Sequence, residues 1–164
     1  MTEQTVSKNT VFLKFSGAHL ALTCVIGLLF AAVSVAGIVF ADTVYPSTEL
    51  YNSFLPNDYI NLFLGIPLLA ASVALALNKI RLGLAGWGAS LLFILYSDIA
   101  YLFAVHNAFS LAVGIVLGLL CILQLVLMGA SINYGRLIPN MPCIIRPGVY
   151  GGILLAMGLA FVVR

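Results

Sequence analysis

The chain is predicted to be all-α: a polytopic transmembrane helical bundle of about five spanning helices, with its N-terminus inside. Three observations predict this. Charged residues make up 7% of the 164 residues and hydrophobic ones 63%, with a mean hydropathy of +1.16. A soluble domain carries about 25% charged residues, so too few charges are present to cover a water-exposed surface, and lipid must be the solvent. The apolar residues fall into runs close to the roughly 20 needed to cross about 30 Å of hydrocarbon. Finally, Lys8, Lys14, Lys79, Arg81, Arg136 and Arg146 occupy alternate connections, whereas Asp42, Glu49 and Asp58 crowd into one connection between them. Short basic loops resist translocation, which places the first set in the cytoplasm and the second outside.

The elements follow in order, as one integral membrane domain over 1–164. The first helix is expected over about 11–41, with its inner end near Lys14. Val39-Phe40-Ala41 resembles a signal-peptidase site, but the apolar stretch exceeds the ~7–15 residues of a typical signal core, so the helix is read as retained. An outer loop over about 42–57 carries Pro46 and Pro56. The second helix is expected over 58–77, with Asp58 as its cap and a kink at Pro67, which lacks a backbone donor. Asn78-Lys79-Ile80-Arg81 makes a tight inner turn. Helices over 82–105 and 108–131 form a hairpin about His106-Asn107. A proline-rich inner loop leads to a short fifth run over 148–163, which puts the C-terminus outside.

Unpaired backbone amides are costly in lipid and the runs lack strand alternation, so helices are expected throughout. Gly27 with Ala31, Gly114 with Gly118, and Gly148 with Gly152 stand four apart, the spacing that lets membrane helices approach closely.

Little in the sequence suggests familiar chemistry. The basic residues are scattered, which excludes a nucleic-acid patch. Cys24, Cys121 and Cys143 lack metal-ligand spacing, so no metal is assigned and no cofactor is named. His19 and His106 fall at opposite ends, too far apart to share one haem. No Ser-His-Asp set, HExxH or paired cysteines support an enzyme.

The residue hardest to dismiss is Asp98, about seven residues before the outer turn, or roughly 10 Å at 1.5 Å per residue. A central aspartate costs about 2.5–3.5 kcal/mol on insertion scales, so it is expected to face the bundle or a wet cavity. The competing reading is a structural aspartate bonded to Tyr101 or Ser97. Tyr96, Tyr101, His106 and Asn107 share its hairpin end, and Asp58 with Asn61 sits at the same depth. Tyr45, Glu49 and Tyr51 lie nearby. These seven, Asp58, Asn61, Tyr96, Asp98, Tyr101, His106 and Asn107, form the candidate ligand-binding cluster.

The segments Asn57-Asp58-Tyr59-Ile60-Asn61-Leu62, Gly65-Ile66-Pro67-Leu68-Leu69, Tyr96-Ser97-Asp98-Ile99-Ala100-Tyr101-Leu102-Phe103 and His106-Asn107 resemble a group of uncharacterised prokaryotic multi-pass membrane proteins. In that group an Asp opens a helix ending in Pro-Leu-Leu, and a later tyrosine-rich helix closes on Asn. The resemblance covers about residues 58–131 and implies a bundle of about six spans. Asp58, Pro67, Tyr96, Tyr101 and Asn107 match its pattern. Asp98 stands where an aromatic or amide residue is expected, and a sixth span is missing.

Two functions are expected from these readings. In one, the outer-facing cluster binds or conducts a small polar solute or proton. In the other, the chain is a non-catalytic accessory subunit of a larger membrane complex. The lipid bilayer is the expected partner; a second membrane protein or another copy of the chain fits the glycine pairs.

Overall fold

The structure, a computed structural model, describes residues 17–104 and 108–131, without the side chains of Arg81, Ala108 and Phe109. The elements are α1 (Gly17–Val39), a single turn α2 (Ala41–Val44), α3 (Thr48–Ile60), a π-helical turn (Asn61–Gly65), α4 (Ile66–Leu77), α5 (Arg81–Ala104) and α6 (Ala108–Ser131). No strand occurs among the described residues. Four stretches are long and apolar enough to cross a membrane: Gly17–Val39, Thr48–Leu77, Leu82–Ala104 and Ser110–Ser131. The fold is an all-α bundle of the membrane type. The expected fifth span, and the start of the first before Gly17, lie outside the described residues.

Burial follows helical periodicity but inverts the usual polarity. On α1 the buried positions are His19, Thr23, Ile26, Phe30, Ser34 and Gly37, three or four residues apart, so they form one stripe. Half of that stripe is polar. Ser72, Ser90, Ser97, Asp58, Asn61, Asp98 and Gln124 are likewise buried, while Leu28, Phe63, Leu82 and Phe103 are more than 70% exposed. In water this arrangement would be unstable. In lipid it satisfies the polar groups internally and turns large apolar side chains toward acyl chains of matching polarity.

The spans pack as a closed ring. α4 lies along α5, α5 along α6, and α6 along α1, while α1 closes the ring against α3 and the π turn. Trp87, Leu91 and Ile94 of α5, Ile26 of α1 and Leu117 of α6 fill the middle and are essentially inaccessible.

The second span departs from expectation. A loop to residue 57 and a helix capped by Asp58 were predicted; instead the helix starts at Thr48. Ser47 is the cap, and its hydroxyl accepts from the Leu50 amide at 3.2 Å. The signal was Ser47 ahead of Glu49 in the first turn, a standard N-terminal combination. Pro56 does not break the helix. Thirty continuous residues span about 45 Å, so Asp58 sits far inside a long rod, not at its tip. The disturbance expected at Pro67 appears as the π turn just before it, closed by the Ile66 amide bonding to the Asn61 carbonyl. A proline ring clashes with the carbonyl four residues back, and one extra residue in the preceding turn relieves that clash. Gly65 then comes so close to α5 that a Cβ there would lie 3.0 Å from the Phe93 ring.

The turn between α4 and α5 is as short as predicted. Lys79 N–H bonds to Ala76 O at 2.9 Å and Ile80 N–H to Leu75 O at 3.0 Å, the paired bonds of a Schellman C-terminus. That geometry requires the left-handed region at Lys79, whose φ is +61°. Non-glycine residues there cost about 1–2 kcal/mol. Lys79→Gly is therefore expected to raise the thermal unfolding midpoint in detergent, and Lys79→Val to lower it. Equal midpoints for glycine, lysine and valine would contradict a strained turn.

Candidate functional site

The predicted cluster separates into a sealed carboxylate, an open one and several side chains that join neither. Asp58 is fully buried. Two phenols hold it: Tyr45 donates to Oδ2 at 2.6 Å and Tyr101 donates to Oδ1 at 2.8 Å. Tyr101 also reaches the Phe54 carbonyl at 3.3 Å. The Phe54 ring stacks 6.0 Å from Tyr45 and meets Tyr101 edge-on at 4.8 Å. From α1, Gly37 supplies the fourth wall, since a Cβ there would overlap Asp58 Oδ2 and lie 2.7 Å from the Tyr45 hydroxyl.

Burial first, and the hydrogen bond and charge of Asp58 second, raise the Tyr45 pKa above that of an ordinary phenol. A raised phenol favours its neutral, donating form. Its contribution to folding is complete below the ordinary value near pH ~10 and fades only as pH climbs through the raised one. The clamp therefore joins α3, α5 and the segment after α2 at every physiological pH.

Asp98 differs in kind. It is 7% exposed, and its Oδ2 has no hydrogen-bond partner among the described residues. Two glycines of α6 make room for it: a Cβ on Gly114 would lie 3.1 Å from Oδ1 and one on Gly118 would lie 3.0 Å from Oδ2. The Gly114/Gly118 pair expected to serve helix packing thus also accommodates a carboxyl group between α5 and α6. By contrast, a Cβ on Gly27 would meet only Leu69, in ordinary contact at 3.6 Å.

Asp98 lines a cavity of about 480 Å³ between α1, α5 and α6. Its walls include Leu29, Val33 and Phe40 from α1 and the segment after it, Val113 and Gly114 from α6, and Tyr101. Phe40, just past the end of α1, is 61% exposed at the rim, and Ala32, in mid-span, is exposed as well, so the cavity opens on the side of the bundle. Tyr101 belongs to both arrangements, its ring facing the cavity while its hydroxyl is engaged by Asp58.

The remaining predicted residues scatter. Asn61 is buried on the π turn, a turn along from Asp58. Tyr96 is 59% exposed, unlike the two buried carboxylates. The physical reason is rotation: Tyr96 and Tyr101 are five residues apart, which turns them about 140° from one another on a helix. Glu49 and Tyr51 are likewise exposed, on α3. His106 and Asn107 lie outside the described residues. The expected bond from Asp98 to Tyr101 or Ser97 is absent, because Tyr101 turns to Asp58 instead.

Sequence reasoning missed a second buried polar group at the Lys79 end. His19 Nε2 pairs with Ser131 Oγ at 3.1 Å. Thr23 Oγ1 donates to the His19 carbonyl at 2.8 Å, Trp87 Nε1 donates to Thr23 Oγ1 at 3.2 Å, and Gln124 Nε2 donates to the His19 carbonyl at 3.3 Å. Five side chains thereby tie α1, α5 and α6 together. The available signal was Gln124, a lone amide in the apolar run of α6. Among the described residues no three His, Cys, Asp or Glu side chains are grouped to hold a metal.

Fold and site together define a helical membrane protein with one sealed and one cavity-facing carboxylate. No protein-family model matches the chain, and neither the curated proteins nor the solved structures contain a match.

Proposed function

We propose that the protein binds a small solute that reaches it through the membrane, in the cavity between α1, α5 and α6, with Asp98 as the recognising group. The observation that carries this reading is Asp98, whose Oδ2 has no partner among the described residues, lining a cavity of about 480 Å³, within the ~300–1,000 Å³ range of small-molecule sites. Ionisable groups inside a membrane helix are expensive and mark ligand, ion or proton pathways. Asp58 is not part of the binding surface in this reading; both its oxygens are already taken.

The same proposal orients the molecule in the cell membrane. Lys79 lies at one end of the bundle, and Asp42 and Glu49 are exposed at the other. The distribution of basic residues then puts Lys79 in the cytoplasm and the cavity in the outer leaflet.

Dicyclohexylcarbodiimide, an apolar reagent that attacks carboxyl groups from the lipid phase, tests the site in lipid nanodiscs. Mass spectrometry is expected to find the adduct on Asp98, with Asp58 protected by its two phenols. The adduct should disappear in Asp98→Asn. Labelling of Asp58 in preference to Asp98, or of neither, would remove the proposal.

A further inference from the structure

The chemistry of the cavity narrows the ligand further, and this step rests on the binding role proposed for Asp98. We infer that the cavity takes a single-chain amphiphilic cation, with its positive head at Asp98 and its apolar chain against Leu29, Val33 and Val113. Three observations combine. First, among the described residues the cavity is lined by one carboxylate and no lysine or arginine, so the polar selectivity they give it has one sign. An anionic head would meet an uncompensated like charge in a medium of low dielectric constant, where charge interactions are several times stronger than in water.

Second, the rest of the lining is nearly all hydrocarbon. Tyr101 has committed its hydroxyl to Asp58 and to the Phe54 carbonyl, leaving Ser110 as the other polar side chain. A bare metal ion needs about six oxygen ligands, and these walls cannot supply them. A cation that carries its own apolar surface needs only one counter-charge. Third, size and access agree. Water occupies about 30 Å³ per molecule in the liquid, so a cavity of about 480 Å³ is much larger than an ammonium group alone. The exposed rim at Ala32 and Phe40 admits a chain from the side, where an amphiphile is already concentrated by the bilayer.

Gly114 sets the depth at which the head can sit. A Cβ there would lie 3.1 Å from Asp98 Oδ1 and 2.7 Å from Leu102 Cδ2, so even alanine would crowd the carboxyl group.

Competition for Asp98 is the direct test. The wild-type protein in lipid nanodiscs is treated with dicyclohexylcarbodiimide after equilibration with dodecyltrimethylammonium or with dodecyl sulfate, at equal and sub-solubilising mole fractions. The cation is expected to slow labelling of Asp98 at least tenfold, and the anion of the same chain length to leave the rate within twofold. Equal protection by both, or none by either, while Asp98 still labels in their absence, overturns the ligand class and leaves the binding site standing. Failure of Asp98 to label in untreated discs is the separate result that removes the site itself.

Discussion

Asp58→Leu is expected to destabilise the protein by about 2–5 kcal/mol. The arithmetic is one of orphaned donors. Two phenols, from Tyr45 and Tyr101, give their hydrogens to this carboxylate at 2.6 and 2.8 Å, and leaving a buried polar group unsatisfied costs about 1–3 kcal/mol each. Leucine keeps the branched skeleton of aspartate, but its methyl groups are bulkier than the oxygens they replace, so overpacking adds to this cost. Removing the donors as well should reverse most of the damage, because replacing both partners with apolar groups of the same shape is close to neutral. The triple variant Asp58→Leu, Tyr45→Phe, Tyr101→Phe is therefore expected to recover a large part of the lost stability, read as the unfolding midpoint in mild detergent. A single Asp58→Leu protein as stable as wild type would refute the clamp. So would a triple variant that is worse than the single one.

Gly83→Ala carries the second large effect, although it adds a single methyl group. Its Cβ would overlap the backbone of Leu75 and Ala76 and lie 2.6 Å from the Leu75 Cβ. Backbone cannot rotate away, so α4 and α5 would have to part where they pack most closely. Overpacking typically costs about 1–3 kcal/mol, and the rigid neighbour places this case at the upper end or beyond. Gly88 on the same helix is the control. A Cβ there meets the tip of Met128 at 3.1 Å, and that flexible thioether can shift by a few tenths of an ångström. Since alanine is also the better helix former by about 1 kcal/mol, Gly88→Ala should be neutral or stabilising. Similar unfolding midpoints for Gly83→Ala and Gly88→Ala would show that the hairpin is looser than its geometry indicates.

The residues of the two carboxylate sites show how far a one-dimensional reading reaches. Asp98 stood out because a carboxyl group in an apolar run is costly wherever the helix turns. Asp58 stood out as the expected cap of the second helix, and that role falls to Ser47 instead. The extra ten residues of α3 were hidden by Pro46, Pro56 and polar side chains that suggested a loop, while the Ser47 cap and Glu49 were overlooked. At about 100° per residue along α5, Tyr96 cannot share a face with Tyr101, whereas Asp98 can. What could not be read was the partner of each group. Tyr45 lies 13 residues from Asp58 and Tyr101 lies 43 away. Gly37 of α1 mattered only once α3 lay against it.

The sequence by itself determined the solvent, the helical class and the approximate spans, because transfer of each residue from water to lipid adds up locally along the chain. Only the tertiary structure decided which carboxylate is clamped by phenols and which is left facing a cavity. Hydropathy is a sum over neighbours in sequence, whereas hydrogen-bond satisfaction depends on the azimuth and depth at which separate helices meet, and no local sum contains those.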